Sequence, residues 1–203
     1  MFRFILSFFG GIFAWIVTAV FFIALTLGAV FWMFSRDLPS HEQLAQYSPK
    51  TISRIYSGEG RLIDEFAQER RIYVPIEEIP PLVKQAFVSA EDKNFYHHHG
   101  FDPRGMIGAL VEAVKSRGEN VRGASTITQQ VMKNFLLSSD RSVERKIKEL
   151  ILATRLESTL SKDQILELYL NEIFLGQNSF GVAAAAQTYF NKPLTELAPH
   201  EAA

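Results

Sequence analysis

An adjacent pair of carboxylates stands just before three histidines in the stretch AEDKNFYHHHG, residues 90–100. Glu91 and Asp92 follow AFVSA, a run whose apolar side chains can face a core. Successive residues on a helix point to different faces, so the two carboxylates do not form a paired site by themselves. A carboxylate at the edge of the core can accept a proton as a general base. We predict this role for Glu91; the alternative is an ordinary carboxylate at a helix end.

The three histidines at residues 97–99 suggest a metal site, but their spacing argues against one. Ligands on a single helix need a separation of three or four residues, as in H-E-x-x-H, and the sequence has no such motif. Only His41 and His200 remain elsewhere to complete a site. We therefore predict no metal site. Phe95 and His98 are expected to shape the loop, and Gly100 to allow a tight turn.

Composition excludes several kinds of chemistry. The chain has 203 residues with 21 basic and 22 acidic side chains, so it lacks the basic excess that nonspecific nucleic-acid binding requires. We expect no nucleic-acid partner. The chain has no cysteine, which rules out disulfides, thiolate nucleophiles and cysteine zinc sites. Its length suits one soluble domain plus an additional segment.

That additional segment is N-terminal. No charged side chain occurs from Phe4 to Ser35, and a membrane-spanning helix needs roughly 20 apolar residues. A cleaved signal peptide would have a shorter apolar run and a clear small-x-small cleavage site. We predict four segments: a cytoplasmic N-terminus over residues 1–3, a transmembrane anchor over 4–35, a linker over 36–50, and a domain outside the cytoplasm over 51–203.

The elements that must position the chemical groups are predicted to be mainly α-helical. Alternating apolar residues on both sides of residues 57–60 predict one small β-hairpin. Pro80 and Pro81 are typical of a helix start. The sequence RKIKELILATRLESTL has its apolar residues at helical spacing. Two capping boxes mark further helix starts, namely Thr126 with Gln129 and Ser161 with Gln164.

Four motifs follow one another along the chain: EDKNFYHHHG (91–100), GASTITQQ (123–130), RKIKE (145–149) and KDQILELYLN (162–171). Together they resemble the patterns E-D-x-x-F-x-x-H-x-G, G-x-S-T-I-T-Q-Q, R-K-x-x-E and K-x-x-I-L-E-x-Y-L-N of the peptidoglycan glycosyltransferase domain of class A penicillin-binding proteins. Each motif alone is modest support, whereas all four in order are specific. The resemblance covers roughly residues 50–203.

The resemblance implies a lysozyme-like, mainly α fold with a small β-hairpin near the membrane. It implies that Glu91 is the general base, which takes the proton from the 4-hydroxyl of the acceptor sugar, and that Glu149 is the second essential acid. The positions that match the family's substrate-binding residues are Ser125, Gln129 and Gln130 in the cleft and Lys133, Arg141 and Lys148 around the pyrophosphate.

Helical spacing is compatible with these roles and also with simpler ones. Lys133 lies one turn after Gln129 and Gln130, so the three share a face. The spacing of Arg145 and Glu149 fits either a surface salt bridge or a cleft acid held by bases. The last motif carries a polar stripe that fits either solvated surface or structural contacts, formed by Asp163, Glu167 and Asn171.

The function that the resemblance implies is polymerisation of lipid II into β-1,4-linked glycan strands, with inversion and release of undecaprenyl pyrophosphate. A pyrophosphate leaving group needs cations in the site. The resemblance fixes no cofactor, although a divalent cation, Mg or Mn, could accompany the pyrophosphate. Expected partners are lipid II, the lipid-linked glycan chain, the membrane and proteins of the cell-wall synthesis complex. The domain is expected on the periplasmic side of the inner membrane.

The sequence also departs from the family pattern. Gly108 stands where the family usually has Arg, and Asn178, Phe180 and Asn191 replace Gly, Tyr and Gly. The chain ends before the family's domain does and has no transpeptidase domain, so we expect an N-terminal fragment. Two other functions stay open: a glycan-cleaving enzyme with a lysozyme-like fold, and a membrane-anchored fragment that binds the precursor or a partner without turnover.

Overall fold

A computed structural model describes residues 2–35, 53–66, 70–117, 123, 125–136 and 142–202 of the protein. The described part is mainly α-helical, as predicted. Its helices are α1 (Phe2–Ser35), α2 (Pro81–Glu91), α3 (Pro103–Lys115), α4 (Ile127–Leu136), α5 (Val143–Glu157), α6 (Lys162–Glu172), α7 (Val182–Phe190), a 3-10 turn (Leu194–Glu196) and α8 (Pro199–Ala202). Its strands are β1 (Ser53–Tyr56), β2 (Leu62–Phe66), β3 (Arg70–Arg71) and β4 (Ser179–Phe180).

Helix α1 contains the predicted anchor. Its segment Gly10–Ser35 has a mean hydropathy of 2.4 and is long and apolar enough to cross a membrane. The hydroxyls of Thr18 and Thr26 each donate to the carbonyl four residues earlier at 2.8 Å, so these polar groups are satisfied inside the helix. At the end of α1, the Arg155 guanidinium donates a hydrogen bond to the Ser35 hydroxyl. The predicted linker, residues 36–50, lies outside the described residues.

The predicted hairpin is confirmed. Strands β1 and β2 pair antiparallel, and the Ser57 hydroxyl accepts the backbone N–H groups of Glu59 and Arg61 in the turn between them. Gly60 has a φ of 78°, a left-handed conformation that glycine adopts without a steric penalty. A second pairing was not predicted: β3 and β4 pair parallel, and two residues each are too short for a periodic signal.

The hydrophobic core lies where α4 packs against α5 and α6. Helix α4 buries Ile127, Val131 and Met132 along one side, as expected for an amphipathic helix. The neighbouring helices contribute side chains that are almost fully enclosed: Leu152, Leu156, Ile165, Leu166 and Tyr169. Full burial of one large apolar side chain contributes about 1.5–3 kcal/mol. This packing therefore holds α4 in a fixed position.

The helix starts agree with the predicted signals. Pro81 is the first residue of α2. The Thr126 hydroxyl accepts the N–H of Gln129 while the Gln129 side chain accepts the N–H of Thr126, which is the predicted capping box at α4. Ser161 and Gln164 form the same reciprocal pair at α6. The local sequence therefore determines where these helices begin.

The polar stripe on α6 makes structural contacts. Asn171, which is buried, accepts the backbone N–H of Val74 at 2.8 Å and donates to the Val74 carbonyl at 2.9 Å. Glu167 accepts the N–H of Ile76 at 2.7 Å and the Tyr73 hydroxyl at 2.6 Å. This hydrogen bond to a carboxylate raises the pKa of Tyr73 to about 12. The stripe thus ties α6 to the extended segment that precedes α2.

Candidate active site

Helix α2 ends at Glu91, and the two neighbouring carboxylates both bind α4. The Gln130 amide donates to Glu91 Oε2 at 2.9 Å, and the N–H of Ile127 donates to Asp92 Oδ2 at 3.1 Å. Glu91 is exposed, whereas Asp92 is only 5% exposed. The fold therefore separates the pair. The Glu91 carboxylate is open to solvent beside α4, whereas the Asp92 carboxylate is buried and holds the loop after α2 against α4.

The open carboxylate borders a cleft of about 380 Å³. Glu91, Ser125, Asp102 and Glu112 are among its lining residues. Gly108, the position where the family usually has Arg, also lines the cleft, and a Cβ there would meet no atom within 4 Å. A longer side chain at this position would therefore extend into open space.

Lys146 supplies a cation beside the site, in addition to Lys93 and Arg104, which line the cleft. Its Nζ donates to Ser125 Oγ at 2.7 Å, to Glu149 Oε2 at 2.9 Å and to Gln129 Oε1 at 3.3 Å. Because Ser125 lines the cleft, this ammonium lies at the cleft's edge. Three oxygen partners hold it in one place, which is the arrangement needed for a positive charge that stabilises a developing anion.

Glu149 accepts a hydrogen bond from this ammonium, and its side chain is only 3% exposed. Arg145 Nη1 lies 3.0 Å from Glu149 Oε1, an ion pair without hydrogen-bond geometry, since that oxygen accepts no hydrogen bond within the described part of the chain. The alternative of a surface salt bridge is thus wrong. A buried carboxylate needs such partners, because an unpaired buried charge is strongly destabilising. Glu149 is placed to hold Lys146 and Arg145.

The structure brings together only some of the predicted substrate-binding residues. Gln130 contacts Glu91, while Ser125 and Gln129 contact Lys146. Lys148 is not brought to this group: its Nζ pairs with Glu144 Oε1 at 2.6 Å along α5. Gln129 is buried in the capping box, whereas Lys133, one turn later on the same helix, is exposed. Arg141 lies outside the described residues.

The resemblance assigns no individual role to Lys146, although the structure places its ammonium beside the cleft residue Ser125. The signal was present, because Lys146 occupies the Lys position of R-K-x-x-E. Lys146 and Lys148 differ by about 200° around a helix with 3.6 residues per turn. Only Lys146 lies three residues before Glu149, at a spacing that allows contact.

The histidines behave differently from one another. His98 is buried and its Nε2 lies 2.8 Å from Asp92 Oδ2, whereas His97 and His99 are exposed. Gly100 has a φ of 85°, and a Cβ there would meet the backbone of Thr154 in α5 at 2.7 Å. His98 and Gly100 therefore shape the loop, as predicted. Across the described ranges no group of three or more His, Asp or Glu is placed to hold a metal ion.

Electrostatic effects in the site follow from burial and charge. Burial raises the pKa of the Tyr169 phenol well above its usual value, and the negative charge of Glu91 raises it further. The Asn94 amide donates to Asp102 Oδ2 at 2.7 Å and lowers the pKa of that carboxyl. The N–H of Arg104 at the start of α3 acts in the same direction. Asp102 therefore stays ionised at neutral pH.

Comparison with known proteins gives a consistent result. The transglycosylase family model matches residues 59–203. Penicillin-binding protein 1A of Rickettsia bellii is 49% identical over 176 residues, which are 86% of this chain and 22% of that protein. Penicillin-binding protein 1A of Escherichia coli is 44% identical over 191 residues, 93% of this chain and 22% of that protein. This chain thus spans less than a quarter of the length of these two relatives.

A crystal structure of penicillin-binding protein 1A from Haemophilus influenzae matches 77% of this chain and 13% of that chain, with 26% identity and a TM-score of 0.34. The match to the family model assigns the family, because it covers more than half of the chain and includes Glu91, Lys146 and α6. The chain therefore belongs to the transglycosylase family, a family of glycosyltransferase enzymes.

Proposed function

We propose that the protein is a peptidoglycan glycosyltransferase that polymerises lipid II into β-1,4-linked glycan strands. The observation that carries this proposal is a cleft lined by an exposed carboxylate, Glu91, and by Ser125, whose hydroxyl accepts a hydrogen bond from the Lys146 ammonium. Glu91 takes the proton from the 4-hydroxyl of the acceptor sugar. The oxygen then attacks the donor sugar with inversion, and the bond to undecaprenyl pyrophosphate breaks.

The leaving group explains why the site needs Lys146. Pyrophosphate departs with negative charge, and a preorganised cation stabilises that charge as it develops. Lys146 is held by three oxygens, so little reorganisation is needed when the bond breaks. Glu149 and Arg145 are proposed to keep the ammonium in place. A glycan-cleaving enzyme releases a sugar hydroxyl and has no equivalent need for this cation.

A divalent cation could share this task, as the resemblance suggests. Mg²⁺ that is bound to a phosphate needs only one or two protein carboxylates, and Asp102 and Glu112 line the cleft. These two residues would hold such an ion, which would neutralise charge on the pyrophosphate. Metal dependence stays a prediction, and turnover measured with and without chelator tests it.

A lipid-linked substrate is supported by the two faces of α3. Gly105, Gly108 and Glu112 line the cleft. A different face of the same helix exposes apolar side chains, including Ile107 at 63%, Leu110 at 66% and Val114 at 71%. Together with the apolar helix α1, this surface fits a domain at the outer face of the inner membrane, where the lipid chain of the substrate lies. Proteins of the cell-wall synthesis complex are proposed as further partners.

The test is turnover of lipid-linked disaccharide by the whole chain in detergent or vesicles. We expect glycan polymer to form and undecaprenyl pyrophosphate to be released in equal amount to the links made. Degradation of finished glycan without polymerisation would favour the glycan-cleaving enzyme. Saturable binding of lipid II with no product would favour the non-catalytic fragment.

A further inference from the structure

A ring of buried polar groups lies behind Glu91, and Asp92 is its one member that also lines the cleft. Asp92 Oδ2 accepts from the N–H of Ile127, the first residue of α4, and lies 2.8 Å from His98 Nε2. On its other side, His98 Nδ1 lies 3.8 Å from Glu157 Oε1. The hydroxyl of Thr128, again in the first turn of α4, donates to Glu157 Oε1 at 2.6 Å. The ring thus begins and ends on α4.

The ring is enclosed by the protein and contacts the ammonium of Lys162. Asp92, His98 and Thr128 are buried, and the Glu157 side chain is 3% exposed. Lys162 Nζ lies 2.7 Å from Glu157 Oε1, 3.5 Å from His98 Nδ1 and 4.5 Å from the centre of the Phe95 ring. Buried polar groups rigidify a structure when their partners are in place. Here Glu157 Oε1 has partners in Thr128 and Lys162, whereas Glu157 Oε2 accepts no hydrogen bond within the described residues.

Two of these contacts bear directly on the position of Glu91. Asp92 is its neighbour in the chain, and Asp92 is bonded to α4 at Ile127. Gln130, which holds the Glu91 carboxylate, lies on the same α4 turn as Ile127 and Thr128. The ring therefore fixes the end of α2 against the start of α4, and these are the two elements that set the geometry of the base.

We propose that Thr128, Glu157 and Lys162 are positioning residues for the Glu91 base, acting through Asp92, His98 and the first turn of α4. This inference rests on the proposed function. Thr128, Glu157 and Lys162 line no part of the cleft described above, so a loss of turnover on changing them arises through geometry. Misplacement of a catalytic group by about 1 Å can cost about 10²-fold in rate.

The experiment compares three variants of the whole chain by kcat, KM and melting temperature with lipid-linked disaccharide. Thr128→Val removes the hydroxyl that donates to Glu157 and keeps the side-chain shape. Thr128→Ser retains the hydroxyl. Thr188→Val is the matched control, because Thr188 accepts one side-chain hydrogen bond, from Ser179 Oγ at 2.8 Å, on α7 and outside the ring.

We expect Thr128→Val to lower kcat by about 10-fold to 10²-fold at equal folded fraction, with KM unchanged. Thr128→Ser should recover most of the wild-type kcat, and Thr188→Val should lose melting temperature only. A wild-type kcat for Thr128→Val, or a raised KM alone, overturns the inference. If the wild-type chain shows no turnover, the proposed function fails instead. A crystal structure of Thr128→Val then decides: an unmoved Glu91–Gln130 pair overturns the inference, and a displaced pair supports it.

Discussion

At the scale of single residues, the fold gives different tasks to neighbouring carboxylates. Glu91 faces the cleft and accepts one amide hydrogen bond, while Asp92 is buried between His98 and the start of α4. The same division separates Lys146 from Lys148 on α5. Residues that are neighbours in a motif therefore have different roles, because the backbone directs their side chains to different sides.

The first prediction concerns Glu91. Glu91→Gln keeps the shape and the contact with Gln130 but cannot accept a proton, so we expect polymerisation to fall by about 10²–10⁴-fold. Binding of lipid II and the melting temperature should be nearly unchanged, because the side chain is exposed. His97→Gln and His99→Gln serve as controls and should keep wild-type turnover. A dead histidine variant beside an active Glu91→Gln variant would show that the base was assigned wrongly.

The second prediction compares two lysines of one helix. Lys146→Gln should lower kcat by about 10²-fold, since removal of one preorganised donor costs about 10²–10³-fold. Lys148→Gln removes only the pair with Glu144 and should change the free energy of unfolding by about 0.3–0.5 kcal/mol. Turnover is measured for both variants at equal folded fraction, and the free energy of unfolding is measured for Lys148→Gln. Loss of turnover confined to Lys148→Gln would restore Lys148 as the pyrophosphate residue.

At the scale of elements, the site depends on how α6 holds the chain segment before α2. Asn171 bonds both backbone groups of Val74, and Glu167 bonds the N–H of Ile76. These contacts set the point from which α2 starts, and α2 carries Glu91 at its end. A motif far along the sequence thus supports the base without lining the cleft.

The third prediction tests this support. Asn171→Ala leaves the backbone of Val74 without its side-chain partner, and one unsatisfied buried polar group costs about 1–3 kcal/mol. We expect the free energy of unfolding in urea to fall by that amount. Asn134→Ala is the control, because Asn134 is exposed on α4 and such surface changes usually stay within about 0.5 kcal/mol. Equal effects of the two substitutions would contradict a structural role for Asn171.

At the scale of the whole molecule, the apolar helix α1 predicts where the proposed reaction occurs. The fourth prediction is that α1 spans the membrane once, with Arg3 in the cytoplasm and the chain from residue 50 onward outside. A reporter that is active only in the cytoplasm should be silent when fused after Gly60 and active when fused before Met1. Reporter activity in the fusion after Gly60 would show the opposite orientation and would contradict the proposal that the protein polymerises lipid II.

What the sequence determined by itself is local. Caps at Thr126 and Ser161, the proline start of α2 and the turn before Gly60 are encoded within a few residues, because their hydrogen bonds close over short distances. The uncharged run of α1 is read from composition alone. Motifs that each occupy one short stretch of the chain predict the catalytic roles of Glu91 and Glu149.

Only the tertiary structure decided which side chains meet. Lys146 contacts Ser125 across a separation of 21 residues, and Thr128 contacts Glu157 across 29. Asn171 reaches Val74 across 97 residues. Periodicity gives the face of a helix but not its rotation against a neighbour, which the packing of α4 on α5 and α6 sets. That rotation turned Lys146 toward Ser125 at the cleft's edge, and helical periodicity alone does not specify it.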